Sequence, residues 1–245
     1  MKARSWLAAT VLGALLSPAT SRAEGLEWLF SVAFQGGTQS ELGGDLLKGT
    51  TGTLFDEPLT LDSKSYRDVY APDLRLQGLL GYGIGERVEI IARGTYYKAE
   101  GTALEVGRLG ELPVYAFFEP YGAYEEVGVE LGVRFYISAV GRLKSYVAPI
   151  AGARFLSETY VTLSVPDAGS AVQNVPFHGE STVAVFGLDL GFSFDLGEHL
   201  FVGVDTGLRY QGAPSPADAL PGLAQIDDSD GRWSSPVVAS VGVRF

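Results

Sequence analysis

Eight stretches of this chain alternate apolar side chains with small or polar ones. The last stretch, PVVASVGVRF, is the clearest example, since every second position from Val237 to Phe245 is apolar while Ser240, Gly242 and Arg244 lie on the other face. A period of two indicates a β-strand with one apolar face and one wetter face. The pattern therefore predicts an all-β fold whose strands are amphipathic along their whole length.

The first 23 residues have the pattern of a secretory signal peptide. Lys2 and Arg4 provide a positive start, an apolar run of 11 residues extends from Trp6 to Leu16, and Ser21-Arg22-Ala23 is a small-x-small cleavage site. The run is too short for a spanning helix, although an uncleaved anchor is the alternative. We expect residues 1–23 to be removed and residues 24–245 to form the fold.

Composition excludes several classes of function. Removal of the signal leaves 15 basic and 29 acidic residues, a formal charge of −14, so nucleic-acid binding has no electrostatic basis. The chain has no Cys, which excludes disulfides and thiolate chemistry. Beyond the signal, no stretch is apolar for the roughly 18 residues that a membrane helix needs. A soluble barrel or sandwich and a membrane barrel remain open.

The connections between the alternating stretches are long and short in turn. The stretches cover about 26–35, 73–84, 88–98, 126–137, 145–156, 186–196, 200–210 and 236–245. The short turns contain Gly85, Gly141 and Gly197, and the first long connection contains TGTLFDEPLTL, which has the pattern of a protruding hairpin. We predict an eight-stranded antiparallel up-and-down transmembrane β-barrel with four long extracellular loops and three short periplasmic turns.

Small residues identify the face that lies inside the barrel. Gly128, Gly152, Gly187 and other glycines share a face with the charged residues, and a narrow eight-stranded lumen requires small residues beside large ones. A lipocalin-type barrel with an apolar interior is the alternative. The predicted lumen charges are Arg75, Glu89, Arg93, Glu126, Glu130, Arg134, Arg154, Asp189, Asp205, Arg209 and Arg244, together with Glu27 and Asp195. Because unpaired buried charges are costly, we expect a paired network; a charge-lined ion pathway is the alternative.

The signal peptide, the eight strands, the short glycine turns and the terminal Val-Arg-Phe resemble the small OmpA/OmpX/OmpW-like outer-membrane barrels over about residues 26–245. Outward aromatic residues near the strand ends, such as Tyr82, Tyr96 and Phe194, agree with an interfacial girdle. The resemblance implies a monomer in the outer membrane of a Gram-negative bacterium, surrounded by lipid and lipopolysaccharide. It also implies insertion by the outer-membrane assembly machinery, with Phe245 as the assembly signal.

Residues suited to catalysis or metal binding are few. His199 lies in a turn, and His178 has Glu180 and Ser181 beside it, so that a hydrolase triad is conceivable only if another strand supplies the acid. Asp227, Asp228 and Asp230 suggest a calcium loop, but the ligand spacing of an EF-hand fails. Walker, dinucleotide and zinc-type spacings are absent. We expect no cofactor, no metal site and no catalytic residues.

The function expected from the sequence is therefore non-enzymatic, either envelope structure or surface interaction through the extracellular loops. A narrow pore for small or hydrophobic solutes is the alternative, and a lipid A-modifying enzyme comes third. The sequence does not identify a ligand for the loops.

Overall fold

The computed structural model describes residues 29–54, 56–84, 87–118, 123–217 and 229–245. The predicted signal peptide, Glu27, the Gly85 turn and the first two residues of the acidic run 227–230 lie outside the described residues. In chain order the strands are β1 (Phe30–Gly43), β2 (Asp45–Leu47), β3 (Thr50–Leu54), β4 (Glu57–Leu61), β5 (Lys64–Ser65), β6 (Asp73–Ile84), β7 (Val88–Ala99), β8 (Ala103–Leu109), β9 (Leu112–Phe117), β10 (Tyr124–Val140), β11 (Leu143–Leu156), β12 (Thr159–Val165), β13 (Ser170–His178), β14 (Ser181–Asp195), β15 (Leu200–Gln211) and β16 (Arg232–Arg244). A short helix, α1 (Tyr66–Val69), and a 3₁₀ turn (Pro166–Ala168) complete the list.

Eight of these strands close into an antiparallel barrel, in the order β1-β16-β15-β14-β11-β10-β7-β6. The barrel closes where β1 pairs with β16, with Phe34 opposite Val241 and Thr38 opposite Val237. Closure leaves the barrel with no unpaired edge strand, so its backbone groups are satisfied without water. The predicted closed, eight-stranded antiparallel barrel is confirmed.

Side-chain exposure follows the predicted alternation. Leu131, Leu80 and Phe186 on the outer face are 66%, 61% and 56% exposed, whereas Arg75 and Glu89 on the inner face are 0% exposed. A soluble barrel with an apolar interior is excluded by this arrangement. The outer surface is a continuous apolar wall of the kind that lipid solvates.

The inner glycines leave room for the large charged side chains. A methyl group added at Gly128 would lie 2.6 Å from Cδ of Arg154, and one at Gly152 would overlap the carbonyl oxygen of Val129. By contrast, a methyl group at the outward-facing Gly94 would meet no atom within 4 Å. The small residues are therefore required on the inner face, as the sequence predicts.

The long connections are more ordered than the sequence suggests. The alternating pattern predicts a connection over residues 36–72, but β1 continues to Gly43. Gln39 and Glu41 point into the barrel at odd-numbered positions, as Ser31 and Gln35 do, so the alternation of the strand is unbroken. The predicted hairpin forms, since β3 pairs with β4. Two further hairpins, β8–β9 and β12–β13, form within the second and third long connections.

These three hairpins join into one six-stranded sheet, which we call the loop sheet, with the order β13-β12-β9-β8-β4-β3. Its inner face contributes Leu61, Val106 and Leu163 to a large apolar core. The same core includes Tyr97 and Tyr124 from the inner wall of the barrel at the loop end. The loop sheet therefore covers the barrel mouth and is held there by hydrophobic burial.

Candidate functional site

The lumen of the barrel contains the predicted charges, which form layers from the turn end to the loop end. At the turn end, Asp195 accepts hydrogen bonds from Lys144 and Arg244. The guanidinium of Arg244 also donates to Ser193 at 2.9 Å and lies 3.9 Å from the ring centroid of Phe201. This layer joins β11, β14, β15 and β16, so it ties the closing strand to its neighbours.

The next layer is centred on Arg134, which lies between two carboxylates. Its guanidinium is 3.2 Å from Glu89 and 3.9 Å from Asp205, and it stacks over Tyr146 at 4.5 Å. Tyr136 donates to Glu89 at 2.9 Å. Further donors from β1 are Ser31, to Glu89 at 2.5 Å, and Gln35, to Asp205 at 2.5 Å.

Glu130 is the centre of the middle layer. Arginines from four strands converge on its carboxylate, namely Arg75 at 3.3 Å, Arg93 at 3.0 Å, Arg209 at 3.5 Å and Arg154 in direct contact. Two of these arginines also contact a second carboxylate, since Asp189 lies 3.0 Å from Arg93 and 2.5 Å from Arg209. Because these side chains come from β6, β7, β10, β11, β14 and β15, they span the lumen from wall to wall.

The loop-end layer contains two charged residues that the sequence analysis missed. Arg232 lies 2.9 Å from Glu41 and 2.7 Å from Glu126, and its guanidinium is 4.2 Å from the ring centroid of Tyr124. Glu126 is also 3.5 Å from Arg154, which connects this layer to the middle one. Both missed residues continue the alternation of inward positions along β1 and β16, so following that alternation into the adjoining connections would have found them.

We call these layers together the lumen network. Each of its carboxylates contacts at least one arginine or lysine within the described chain, so none of them is an isolated base. A buried pair of this kind adds little stability over an apolar core, but removing one partner costs about 3–5 kcal/mol. Chemically, the arrangement suits mechanical closure of the lumen more than proton transfer.

His178 lies in a separate polar contact among the loops. Its Nε2 is 2.7 Å from the hydroxyl of Ser229, and that hydroxyl donates to the carbonyl oxygen of Leu46 at 2.5 Å. Since the Ser229 proton is used on the carbonyl, His178 must donate through Nε2, and it is therefore not placed to act as a base toward this serine. Burial lowers the pKa of the His178 imidazole to about 3, which keeps the ring neutral.

The hydrolase triad considered for His178 does not assemble in the described residues. The hydroxyl that meets the imidazole belongs to Ser229 and not to the neighbouring Ser181, and no carboxylate within the described ranges contacts the ring. The described chain also contains no group of three or more His, Asp or Glu residues that could hold a metal ion. None of its helices has the length and apolar character needed to cross a membrane.

The carboxyl-terminal residue is tied into the barrel. The amide of Phe245 donates to the carbonyl of Phe30 at 2.9 Å, and its own carbonyl accepts from the amide of Leu29 at 2.7 Å. The ring is 65% exposed and stacks on His199 at 6.2 Å. The imidazole of His199 is 3.0 Å from the carbonyl of Arg244, so this exposed turn residue also contacts the chain end.

Several solved structures are similar to this chain over most of their length. Neisserial surface protein A has 12% identity and a TM-score of 0.45, with 89% of this chain and 97% of that chain covered. The outer membrane protein OprG from Pseudomonas aeruginosa has 12% identity and a TM-score of 0.42, with 89% and 97% covered. The outer membrane protease OmpT from Escherichia coli has 8% identity and a TM-score of 0.38, with 91% and 100% covered.

No protein-family model matches the sequence, and no curated protein matches it. At the identities and TM-scores above, the likeness is one of fold only. The expectation that this chain is not an enzyme stays a prediction. What the closed barrel does is therefore inferred from its own residues.

Proposed function

We propose that this chain is a non-enzymatic outer-membrane barrel that holds an ordered interaction surface outside the cell. The single observation that carries the proposal is the joining of three loop hairpins into one sheet over a common apolar core. Loops that only connect strands have no need of such a core, and conformational entropy opposes ordering them. A rigid, solvent-facing sheet is a typical platform for binding.

The lumen network supports a scaffold role. Four arginines meet Glu130 in the middle of the barrel, and Arg134 bridges two walls near the turn end. An eight-stranded barrel is just wide enough for side chains to fill. With every level crossed by hydrogen-bonded side chains, we expect the resting protein to pass no ions.

A narrow pore is the second candidate, and one observation favours it. Buried N–H groups of Arg93, Arg134 and Arg232 donate no hydrogen bond within the described residues. Buried groups of this kind normally bind ordered water, so the lumen offers sites for water at several levels. A connected column of water would make a path for small solutes.

Single-channel recording of the refolded protein in planar bilayers tests these candidates. The scaffold proposal predicts that the wild type passes no current and that the Arg134→Ala variant conducts. The change removes the guanidinium that bridges Glu89 and Asp205, so both carboxylates lose their arginine partner. Arg142→Ala is the matched control, since Arg142 is exposed in a turn. Steady openings of the wild type would refute the scaffold proposal and favour the pore.

The proposed partners follow from the same reading. Outer-membrane lipid and lipopolysaccharide would surround the apolar wall, and the assembly machinery would recognise the closing strand at Phe245. The exposed ring of Phe245, at the end of a strand that pairs on both sides, supports that role.

A further inference from the structure

The middle layer of the lumen network carries more positive charge than negative charge. Its four positive and two negative charges give a formal excess of +2, and each of these side chains is at most 2% exposed: Arg75, Arg93, Arg154, Arg209, Glu130 and Asp189. A buried charge without a counter-charge in contact is costly. The excess at this level therefore favours the binding of a further negative group.

The layers on either side compensate this excess mainly from a distance. In each of them one arginine faces two carboxylates, a formal charge of −1: Arg134 with Glu89 and Asp205, and Arg232 with Glu41 and Glu126. Among the described residues, Glu126 is the one carboxylate of these two layers that forms an ion pair with a middle-layer arginine, at 3.5 Å from Nε of Arg154. Because electrostatic attraction falls with distance, an anion in direct contact would stabilise the middle arginines further.

The middle layer also has more hydrogen-bond donors than acceptors. A guanidinium carries five N–H donors and a carboxylate has about four acceptor positions, so about 20 donors meet about eight positions on the two carboxylates. Gln39 accepts one hydrogen bond from Arg75, and Thr95 accepts one from Arg154. Even with these additional acceptors, the N–H groups of the four arginines outnumber the acceptor positions of the side chains around them.

Arg93 has a donor that this shortage of acceptors leaves without a partner. Its Nη1 donates at 3.0 Å to Glu130 and at 3.0 Å to Asp189, which holds the guanidinium between the two carboxylates. Its Nη2 is buried and donates no hydrogen bond within the described residues. A water molecule would accept from Nη2 but leave the charge excess unchanged, whereas an anion would satisfy the donor and also reduce the excess.

The packing at this level restricts the size of such an anion. Gly187 lies opposite Arg209, and Gly207 lies opposite Asp189. A methyl group added at Gly187 would lie 2.7 Å from Cδ of Arg209, and one added at Gly207 would lie 2.9 Å from Nη1 of the same arginine. An inner wall that does not accommodate a methyl group leaves no room beside it for a polyatomic anion such as phosphate or sulfate. The ligand class that fits is a single-atom anion.

We propose that the middle layer of the lumen network binds a chloride ion, which accepts a hydrogen bond from Nη2 of Arg93. The ion lowers the formal excess at this level from +2 to +1 and gives the buried donor a partner. This inference goes beyond the scaffold role, because it assigns a ligand to the lumen itself. An ion held by buried guanidinium groups stabilises the lumen network and agrees with a barrel that passes no current.

The test compares the stability of the refolded protein in phospholipid vesicles with sodium chloride, sodium bromide or sodium gluconate at equal ionic strength. Equal ionic strength keeps the screening of exposed charges the same in all three salts, and gluconate is too large for the lumen. Heat-modifiable migration over a urea series gives the midpoint of unfolding. At a chloride concentration about ten times its dissociation constant, the folding equilibrium constant should be about tenfold larger than in gluconate, and bromide should act as chloride does. Crystals grown in bromide should show an anomalous peak in contact with Nη2 of Arg93.

Two variants change the charge excess in opposite directions. Arg93→Gln leaves three arginines against two carboxylates, a formal +1, and removes the donor, so the difference between chloride and gluconate should be lost. Asp189→Asn leaves four arginines against one carboxylate, a formal +3, so the difference should become larger. Arg142→Gln is the matched control, because this arginine is exposed in a turn, and it should respond as the wild type does. The prediction for Asp189→Asn holds whether or not Arg93→Gln folds.

Three results would overturn the proposal. Equal midpoints of the wild type in chloride and in gluconate would show that the lumen binds no halide. An unchanged chloride effect in Arg93→Gln, or a smaller effect in Asp189→Asn, would place the binding outside the middle layer. An anomalous bromide peak found only at the protein surface would indicate an adventitious ion only.

Discussion

Acidification should loosen the loops through His178. This residue is 2% exposed and connects three long connections, because its imidazole bonds Ser229, whose hydroxyl bonds the carbonyl of Leu46. No charged group is needed for this contact, since the neutral Nε2–H donates. Protonation would place an uncompensated charge among Phe177, the serine and the apolar core.

The magnitude follows from the pKa of the imidazole. Burial lowers it from 6.5 to about 3. The folded state thus binds the proton less readily than the opened state, and stability that is fully present above pH 6.5 is lost as the pH falls toward 3. Between pH 6.5 and pH 5, each pH unit lowers the free energy of opening by about 1.36 kcal/mol. At pH 5 this free energy should therefore be about 2 kcal/mol lower than at pH 7.5.

Hydrogen exchange provides the measurement. The amide of Asp230 donates to the carbonyl of Asp45 at 2.8 Å, one residue from Ser229, and so reports on opening of this contact. After correction for the intrinsic rate, its protection should fall about 30-fold between pH 7.5 and pH 5. His178→Gln, which keeps a donor and cannot titrate, should lose that pH dependence.

His199→Gln is the matched control, because the chain has only two histidines and His199 lies at the opposite end of the barrel. It should behave as the wild type does. The reasoning fails if the protection of the wild-type amide stays constant across this pH range. It also fails if His178→Gln shows the same decrease.

Two further predictions concern the barrel itself. Glu130→Gln should lower the free energy of unfolding by about 3–5 kcal/mol, measured by heat-modifiable migration over a urea series, because four arginines lose their shared negative charge. Gly152→Ala should destabilise the barrel by about 1–3 kcal/mol, because the new methyl group would lie 2.8 Å from Cα of Glu130 and overlap a neighbouring carbonyl, whereas Gly94→Ala on the lipid side should change little. If the Glu130→Gln variant is as stable as the wild type, the arginines find other partners. If Gly152→Ala and Gly94→Ala change the free energy of unfolding equally, the inner wall adjusts to the added volume.

Much of the barrel could be predicted from the sequence because its signal is local. The alternation in β6, for example, identifies Arg75 as inward and Leu74 as outward without knowledge of any partner. Glu41 and Arg232 carry the same signal, yet they were missed because they lie in stretches that composition marks as connections. The alternation of inward and outward side chains indicates where these strands end better than the overall polarity of the stretch does.

The loop sheet could be predicted only in part. The β3–β4 hairpin has a local signature, with a turn between two short alternating segments. The pairing of β4 with β8 and of β9 with β12 joins residues from different connections, such as Leu59 with Leu109 and Leu163 with Ala116. Contacts at such sequence separation depend on the barrel first bringing the connections to one end.

The sequence by itself determined which side chains enter the lumen and which face lipid, because the side-chain period of a strand is two whatever the strand pairs with. Only the tertiary structure decided which carboxylate meets which guanidinium. Glu130 reaches arginines on β6, β7, β11 and β15 because the closed barrel sets its register and tilt, and these bring four separate walls to one level. The loop sheet has the same origin, since it forms only when strands from different connections pair with one another.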